Sequence, residues 1–272
     1  MSVALSGPIV LMGAGNMGGA MALGWMKSGI AASSILAVDP NPPEAMKIRL
    51  ADAGIGFVSA PPDGITAGVL FVAVKPQVMD QVLPAYQKMI GPRTIVVSIA
   101  AGKTLAFLEN HLGSGAMVRA MPNTPAMIGR GVTGAFANQA VTSAQRKLVH
   151  SLLNVSGPVE WVDSEALIDA VTAVSGSGPA YVFYLVECMA EAGRKLGLPA
   201  DLAMRLARAT VSGAGELLHQ SPGEPAELRK NVTSPGGTTA AALSVLMADD
   251  GMQPLFDAAI KAARDRAEQL AG

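Results

Sequence analysis

A glycine motif near the amino terminus constrains the fold of this chain more than any other feature. The motif Gly-Ala-Gly-Asn-Met-Gly at residues 13–18 follows the short apolar run Ile9–Met12 and opens a segment with helical periodicity. In such a strand–turn–helix unit, the first glycine permits a tight turn and the second lets a pyrophosphate approach the backbone. The helix N-terminus then offers free N–H donors to that anion. The motif therefore predicts a dinucleotide-binding fold rather than a plain glycine turn.

A carboxylate follows the second apolar run, Ile35–Val38, at the point where a dinucleotide-binding fold needs an acidic residue. In that position Asp39 would accept hydrogen bonds from the adenosine ribose. The same negative charge would repel a 2′-phosphate, so Asp39 favours NADH over NADPH. The sequence leaves one alternative open, namely that Asp39 caps the helical segment beginning at Pro42 and Pro43.

Short β-branched runs alternate with longer periodic segments up to about residue 140. Each run is too short and too uniformly apolar to have a solvated face, which is typical of strands buried on both faces. Strands are predicted at Ile9–Met12, Ile35–Val38, Val69–Val74, Thr94–Ser98 and Ala116–Arg119, with a weaker one at Gly131–Ala137. Helices are predicted at Asn16–Ser28, Pro43–Ala53, Gln77–Met89 and Ser143–Asn154. This rhythm predicts a mostly parallel sheet covered by helices on both faces.

The strand pattern stops at about Ser164, and long Ala-rich and Leu-rich segments follow. Helices are predicted at Glu165–Val174, Ala180–Leu196, Ala200–His219 and Thr238–Ala248. Several are apolar on more than one face, and such helices are normally buried all round. A domain of this size cannot bury them alone. We therefore expect a Rossmann-type α/β domain over residues 1–162, followed by an all-α domain over residues 163–272 that packs against a second copy.

The composition argues against several classes of function. A formal net charge of -1 provides no basic field for a nucleic acid or an anionic membrane. Five glycines interrupt the apolar stretch of residues 8–26, so it does not resemble a membrane span, and no Lys or Arg precedes it as in a secretory signal. The single cysteine and three widely spaced histidines predict neither an internal disulfide nor a local metal site. We expect a cytoplasmic protein without metal, nucleic-acid or membrane partners.

Three further turns of small residues lie at or beside predicted strand ends, at residues 73–76, 98–102 and 121–125. Ligands of open parallel sheets bind beyond the carboxyl ends of the strands. Lys75 and Asn123 supply polar groups there. Each turn could be an ordinary one, but three on the ligand side favour a cofactor groove.

A second glycine-rich segment, Ser234–Thr239, precedes an Ala-rich helical pattern. Two glycines before a helix start, with hydroxyl side chains beside them, expose several donors to one small anion such as a carboxylate. Alternatively, Ser234 or Thr238 caps its own helix. In the same helical part, Glu165 beside Asp169 could serve as a charge complement at a helix N-terminus.

Together these motifs resemble one protein family over nearly the whole chain, pyrroline-5-carboxylate reductase. The resemblance rests on the glycine motif and on the runs Ala73–Pro76, Met121–Pro125, Leu167–Thr172, Ser175–Tyr181 and Asn231–Gly237. The last two runs are specific to that family, whereas the glycine motif is common to many enzymes. The resemblance implies a Rossmann domain, a helical dimerisation domain, and reduction of L-1-pyrroline-5-carboxylate to L-proline by hydride transfer from a nicotinamide cofactor. That reaction is the last step of proline biosynthesis.

The resemblance also implies which residues form the site. The predicted cofactor contacts are Met12, Gly13, Ala14, Gly15, Asn16, Met17, Lys75, Ala101 and Asn231, to which the strand ends add Asp39, Ala73, Val74, Pro76 and Asn123. The predicted substrate contacts are Glu165, Thr238 and Thr239, to which the glycine-rich segment adds Ser234, Gly236 and Gly237. Thr239 or Glu165 would act as the catalytic residue by hydrogen-bonding the ring nitrogen. Asp39 departs from the family, because phosphate-preferring members often carry a small hydroxyl residue there.

The expected chemistry needs few special side chains. An imine protonated on nitrogen is already an electrophile, so hydride transfer needs positioning more than a strong acid. A β-hydroxyacid dehydrogenase shares the two-domain plan, but it needs a catalytic lysine where this chain has none between Lys147 and Lys195. A dinucleotide-sensing protein without turnover also stays open, although it would not need the Ser234–Thr239 segment. We expect an obligate dimer, with a larger ring of dimers as an open alternative.

Overall fold

The computed structural model describes residues 5–271, with the side chain of the last of these left out. The chain forms two compact units within this range. The first runs up to Gly176 and includes the segment from Ala263 onward, and the second is Ser177–Ala262. Among the described residues, no helix combines the length and the apolar character that crossing a membrane requires.

An eight-stranded sheet forms the centre of the first unit. Its strands are β1 (Ile9–Met12), β2 (Ile35–Val38), β3 (Gly56–Val58), β4 (Val69–Val72), β5 (Ile95–Ser98), β6 (Ala116–Pro122), β7 (Thr133–Ala137) and β8 (Val159–Trp161). Their spatial order is β3-β2-β1-β4-β5-β6-β7-β8. Only β6 and β7 pair antiparallel in this sheet of the described chain; every other neighbouring pair is parallel. The first six strands thus have the doubly wound order, in which the strand order reverses between β1 and β4.

Helices cover both faces of this sheet. They are α1 (Asn16–Lys27), α2 (Glu44–Asp52), α3 (Met79–Val82), α4 (Leu105–Leu112), α5 (Ser143–Leu153) and α6 (Leu167–Val171), the last continuing into a π-helical turn at Thr172–Gly176. Alternate β1 residues enter separate cores, because successive strand side chains point to opposite faces. Ile9 joins the core around Trp25 of α1, and Val10 joins the core around Leu108 of α4. The predicted two-sided α/β architecture is confirmed.

The second unit is all helical. It contains α7 (Gly178–Lys195), α8 (Ala200–Gln220), α9 (Pro225–Asn231), α10 (Thr238–Leu246) and the first half of α11 (Met252–Ala271). Few of its large apolar side chains are buried: Phe183 is 63% exposed, Leu196 88% and Leu255 70%. An apolar surface of this extent on a single folded unit normally marks the site where a partner binds.

Several elements differ from the sequence prediction. The predicted helix at Gln77–Met89 is broken into two 3-10 turns that flank the single turn α3. Pro84 lies in the second 3-10 turn, where it has no N–H to donate to a continuous helix. The sequence analysis did not predict helices α4, α9 and α11. It also missed strands β3 and β8, because these have three residues each and give no usable periodicity.

Candidate active site

The glycine motif forms the turn from β1 into α1, at the point where the strand order of the sheet reverses between β1 and β4. Gly13 has a φ of +94°, and a Cβ built there would lie 2.9 Å from the backbone carbonyl carbon of Ala73. The Gly13 N–H donates to the Val38 carbonyl at 2.9 Å, and the Ala73 N–H donates to the Met12 carbonyl at 2.8 Å. This position therefore needs glycine for two reasons, its left-handed backbone and the close approach of β4.

The other two glycines of the motif answer different constraints. Gly15 stands at the N-cap of α1, and apart from its two chain neighbours a Cβ there would meet no described atom within 4 Å. A Cβ on Gly18 would overlap the Gly13 carbonyl oxygen and lie 3.0 Å from the Ala73 Cβ, so glycine is needed to bring α1 close to the turn. The first turn of α1 has neither an acidic residue nor a side-chain cap from any described residue. An uncapped helix start with open space at Gly15 is an arrangement that fits a pyrophosphate.

Asp39 is tied to the glycine turn. Its Oδ2 accepts the Ala14 N–H at 2.8 Å, and its Oδ1 accepts the Asn41 N–H at 2.9 Å. Helix α2 begins later, with Pro43 at its N-cap, so Asp39 does not cap it. A carboxylate has about four lone-pair sites, so acceptor capacity for a ribose hydroxyl is left. Burial first, and then the negative charge of Asp39, raises the pKa of Tyr86, a neighbour that the sequence did not reveal.

Among the predicted cofactor residues in the two turns after β4 and β5, Lys75 is exposed and the others are partly buried. Lys75 is exposed and precedes the 3-10 turn Pro76–Val78, while Ala73, Val74 and Pro76 are partly buried. Ala101 is also partly buried, in the segment between β5 and α4. The structure thus places these predicted cofactor residues beyond the carboxyl ends of neighbouring parallel strands.

The Asn123 side chain is held on both sides by the protein. Its Oδ1 accepts the Val132 N–H at 3.0 Å, and its Nδ2 donates to Ser175 Oγ at 3.3 Å. Asn123 therefore links the turn between β6 and β7 to the π-helical turn. Its contact with a cofactor stays a prediction.

Glu165 belongs to a buried network that the sequence analysis missed. Its Oε1 accepts the Leu105 N–H at 2.7 Å and lies 3.4 Å from Nη1 of Arg119. Nη2 of the same arginine lies 2.6 Å from Oδ1 of Asp169. A signal was present in the sequence, because Arg119 is the one charged residue in the apolar run of β6. The substrate role predicted for Glu165 stays a prediction and would fall to its second oxygen, Oε2.

The glycine-rich segment of the second unit leads directly into α10. Gly236 has a φ of +70°, and Gly237 is the N-cap residue. No side chain among residues 5–271 caps this helix, so the self-capping alternative for Ser234 and Thr238 does not hold. Asn231 closes α9 and is exposed, and Thr239 is partly exposed in the first turn of α10. Uncapped N–H groups beside two hydroxyl side chains suit a carboxylate.

The sheet order and the glycine turn define a class, the dinucleotide-binding oxidoreductases with a helical second part. Residues 8–102 match the family model described as NADP oxidoreductase coenzyme F420-dependent, and residues 165–270 match the one described as pyrroline-5-carboxylate reductase dimerisation. The pyrroline-5-carboxylate reductase of Pseudomonas aeruginosa is 43% identical over 265 residues, which cover 97% of this chain and 96% of that protein. The chain therefore belongs to the pyrroline-5-carboxylate reductase family, and the resemblance inferred from its motifs is confirmed.

Solved structures agree with this assignment. A pyrroline-5-carboxylate reductase from Coxiella burnetii is 34% identical, with a TM-score of 0.90 over 98% of this chain and 99% of that chain. The Plasmodium falciparum pyrroline carboxylate reductase, solved with NADP bound, is 28% identical, with a TM-score of 0.79 over 98% of this chain and 99% of that chain.

Proposed function

We propose that this protein reduces L-1-pyrroline-5-carboxylate to L-proline, the last step of proline biosynthesis, with NADH or NADPH as the reductant. The observation that carries the proposal is family membership over nearly the full chain, which includes both the glycine turn and the Ser234–Thr239 segment. The bound nicotinamide cofactor supplies the hydride. All other tasks fall to side chains and backbone groups of this chain.

On the cofactor side, the N–H groups at the start of α1 would hold the pyrophosphate in the space left open by Gly15. Met12, Asn16 and Met17 flank this turn, and Lys75, Ala101 and Asn123 follow the neighbouring strands. Asp39 supports a preference for NADH, because its carboxylate would repel a 2′-phosphate. The Plasmodium relative binds NADP, so this preference is proposed for this chain alone.

On the substrate side, the uncapped N-terminus of α10, with Ser234, Gly236, Gly237 and Thr238, would bind the substrate carboxylate. The hydroxyl of Thr239 would hydrogen-bond the ring nitrogen, and Oε2 of Glu165 is the alternative group for that contact. Either contact would orient an electrophile that is already activated by protonation. Asn231, at the end of α9, is proposed as a further cofactor contact.

The chain self-associates through its dimerisation domain. We propose an obligate dimer, supported by the exposed apolar side chains of α7, α8 and α11. A larger ring of dimers is the alternative that a size measurement would reveal. We further propose that the functional boundary lies between residues 162 and 163, just after β8 ends at Trp161. A cytoplasmic location stays a prediction from the sequence.

The decisive experiment is an assay of NADH and NADPH oxidation with pyrroline-5-carboxylate as the substrate. A parallel assay with a 3-hydroxy acid and NAD⁺ tests the β-hydroxyacid dehydrogenase alternative. Turnover of the imine alone supports the proposal. Cofactor binding without turnover of either substrate would instead point to a dinucleotide-sensing protein.

A further inference from the structure

Arg119 is a buried charge in the sheet, in a strand with neighbours on both sides. It lies in β6, where its side chain is 2% exposed, and it pairs in register with Ser98, the last residue of β5. A buried guanidinium is unfavourable unless it is paired and hydrogen-bonded. Nε of Arg119 has no hydrogen-bond partner among residues 5–271. The hydrogen-bonding capacity of the guanidinium is therefore only partly satisfied. If this position served packing alone, an apolar side chain would fill it without that cost.

Two carboxylates share this guanidinium, and they have different surroundings. Asp169, on α6, is almost fully buried and contacts Nη2 at 2.6 Å. Glu165 is 27% exposed and lies 3.4 Å from Nη1. The short contact to Asp169 balances the buried charge, whereas the longer contact to Glu165 restrains a carboxylate that has a second task.

That second task is at the start of α4. Oε1 of Glu165 accepts the N–H of Leu105, the first residue of the helix, at 2.7 Å. The ordinary capping group, the hydroxyl of Thr104, accepts the Phe107 N–H instead. Glu165 thus satisfies a free N-terminal donor that the local cap does not reach. The backbone from Ile99 to Thr104 is consequently held at one end by β5 and at the other by Glu165.

We propose that Arg119 is a positioning residue for the cofactor-binding side of the site. It holds Glu165 on the Leu105 amide and so sets the β5–α4 segment, which includes Ala101, beyond the carboxyl end of β5. The inference rests on the proposed function in one respect, because it assumes that the cofactor lies along these strand ends. Asp169 then acts as the counter-charge of Arg119, with no direct link to the segment.

The experiment compares variants of Arg119 with variants of its two carboxylate partners, Glu165 and Asp169. Arg119→Met and Glu165→Leu should raise the Kd for NADH by about tenfold, because each releases the Leu105 amide. Amide hydrogen exchange at Leu105 should become faster in both. Arg119→Lys, which keeps a charge near Glu165, should recover part of the affinity. Asp169→Asn is the matched control, since it keeps an acceptor for Nη2 and should leave the Kd within about threefold.

The readouts separate this inference from its alternatives. Fluorescence titration gives the NADH Kd, steady-state kinetics give KM for NADH and for the imine, and thermal denaturation reports folding. If Arg119→Met does not fold, Glu165→Leu carries the test. Wild-type Kd and exchange in the folded variants would overturn the inference, as would a change confined to KM for the imine. Failure of the proposed function is distinct, because the wild type itself would then not bind NADH or not turn over the imine.

Discussion

Replacing Gly15 with alanine separates cofactor binding from folding in this protein. The backbone at Gly15 has φ −69° and ψ −171°, values that alanine adopts without strain. Apart from the two chain neighbours, the new Cβ would meet no described atom within 4 Å. Losing glycine at an N-cap costs less than about 1 kcal/mol, and the lower entropy of the unfolded chain offsets part of that cost. Gly15→Ala should therefore keep nearly the wild-type melting temperature.

The same methyl group would enter the space in which a pyrophosphate meets the N–H groups of α1. A hydrogen bond to a charged group contributes about 1.5–3 kcal/mol. Displacing the phosphate from one such bond would raise the NADH Kd roughly 10- to 150-fold. The structure thus predicts a large binding defect in a protein of normal stability.

Gly18→Ala is the matched variant. Its Cβ would overlap the Gly13 carbonyl oxygen and crowd the Ala73 Cβ at 3.0 Å. Relieving that overlap means moving α1 away from the turn, at a cost of about 1–3 kcal/mol. Fluorescence titration with NADH and thermal denaturation should show both affinity and stability falling for Gly18→Ala, and affinity alone for Gly15→Ala. Wild-type NADH affinity in Gly15→Ala would refute this account of the glycine turn.

Three further predictions concern specificity, chemistry and assembly. Asp39→Ser should shift the ratio of kcat/KM values toward NADPH by about tenfold or more, because a charge that repels the 2′-phosphate is lost. Asp39→Asn removes the same charge but keeps an acceptor for a backbone N–H, so it should shift the ratio in the same direction. A wild type that prefers NADPH tenfold would contradict the role of Asp39. Thr239→Val should lower kcat/KM for the imine by a factor that corresponds to roughly 1–3 kcal/mol, at unchanged NADH affinity. Activity equal to that of the wild type would exclude a hydroxyl contact to the ring nitrogen. Thr233→Val is the control, because the hydroxyl of Thr233 donates to the Arg229 carbonyl. Light scattering on dilute protein should detect no folded monomer, since Phe183 and Leu196 are largely exposed in one chain, and a stable, fully active monomer would disprove an obligate dimer.

Features of the site that depend on neighbouring residues were predictable from the sequence. The glycine motif was readable because the tight turn and the helix start lie within six residues. The close approach of Ala73 to Gly13 became visible only in the folded chain. Strands β1 and β2 were predicted at their observed bounds, because continuous apolar runs between turns suit strands buried on both faces. The helical second part was predicted from long Ala-rich and Leu-rich segments, whose periodicity is likewise local.

Tertiary structure decided the roles of the charged residues. Asp39 reaches the Ala14 amide across 25 residues, and Glu165 reaches Leu105 across 60. Spacing along the chain cannot reveal such contacts, because they exist only once parallel strands stand side by side. Arg119 shows the same limit, because the sequence contained an unexplained charge in an apolar strand. Only the packing of α6 and of the residues just before it against the sheet supplied the two carboxylates, Asp169 and Glu165. Local patterns thus determined the fold and the glycine turn, while long-range packing determined which side chains hold the site in place.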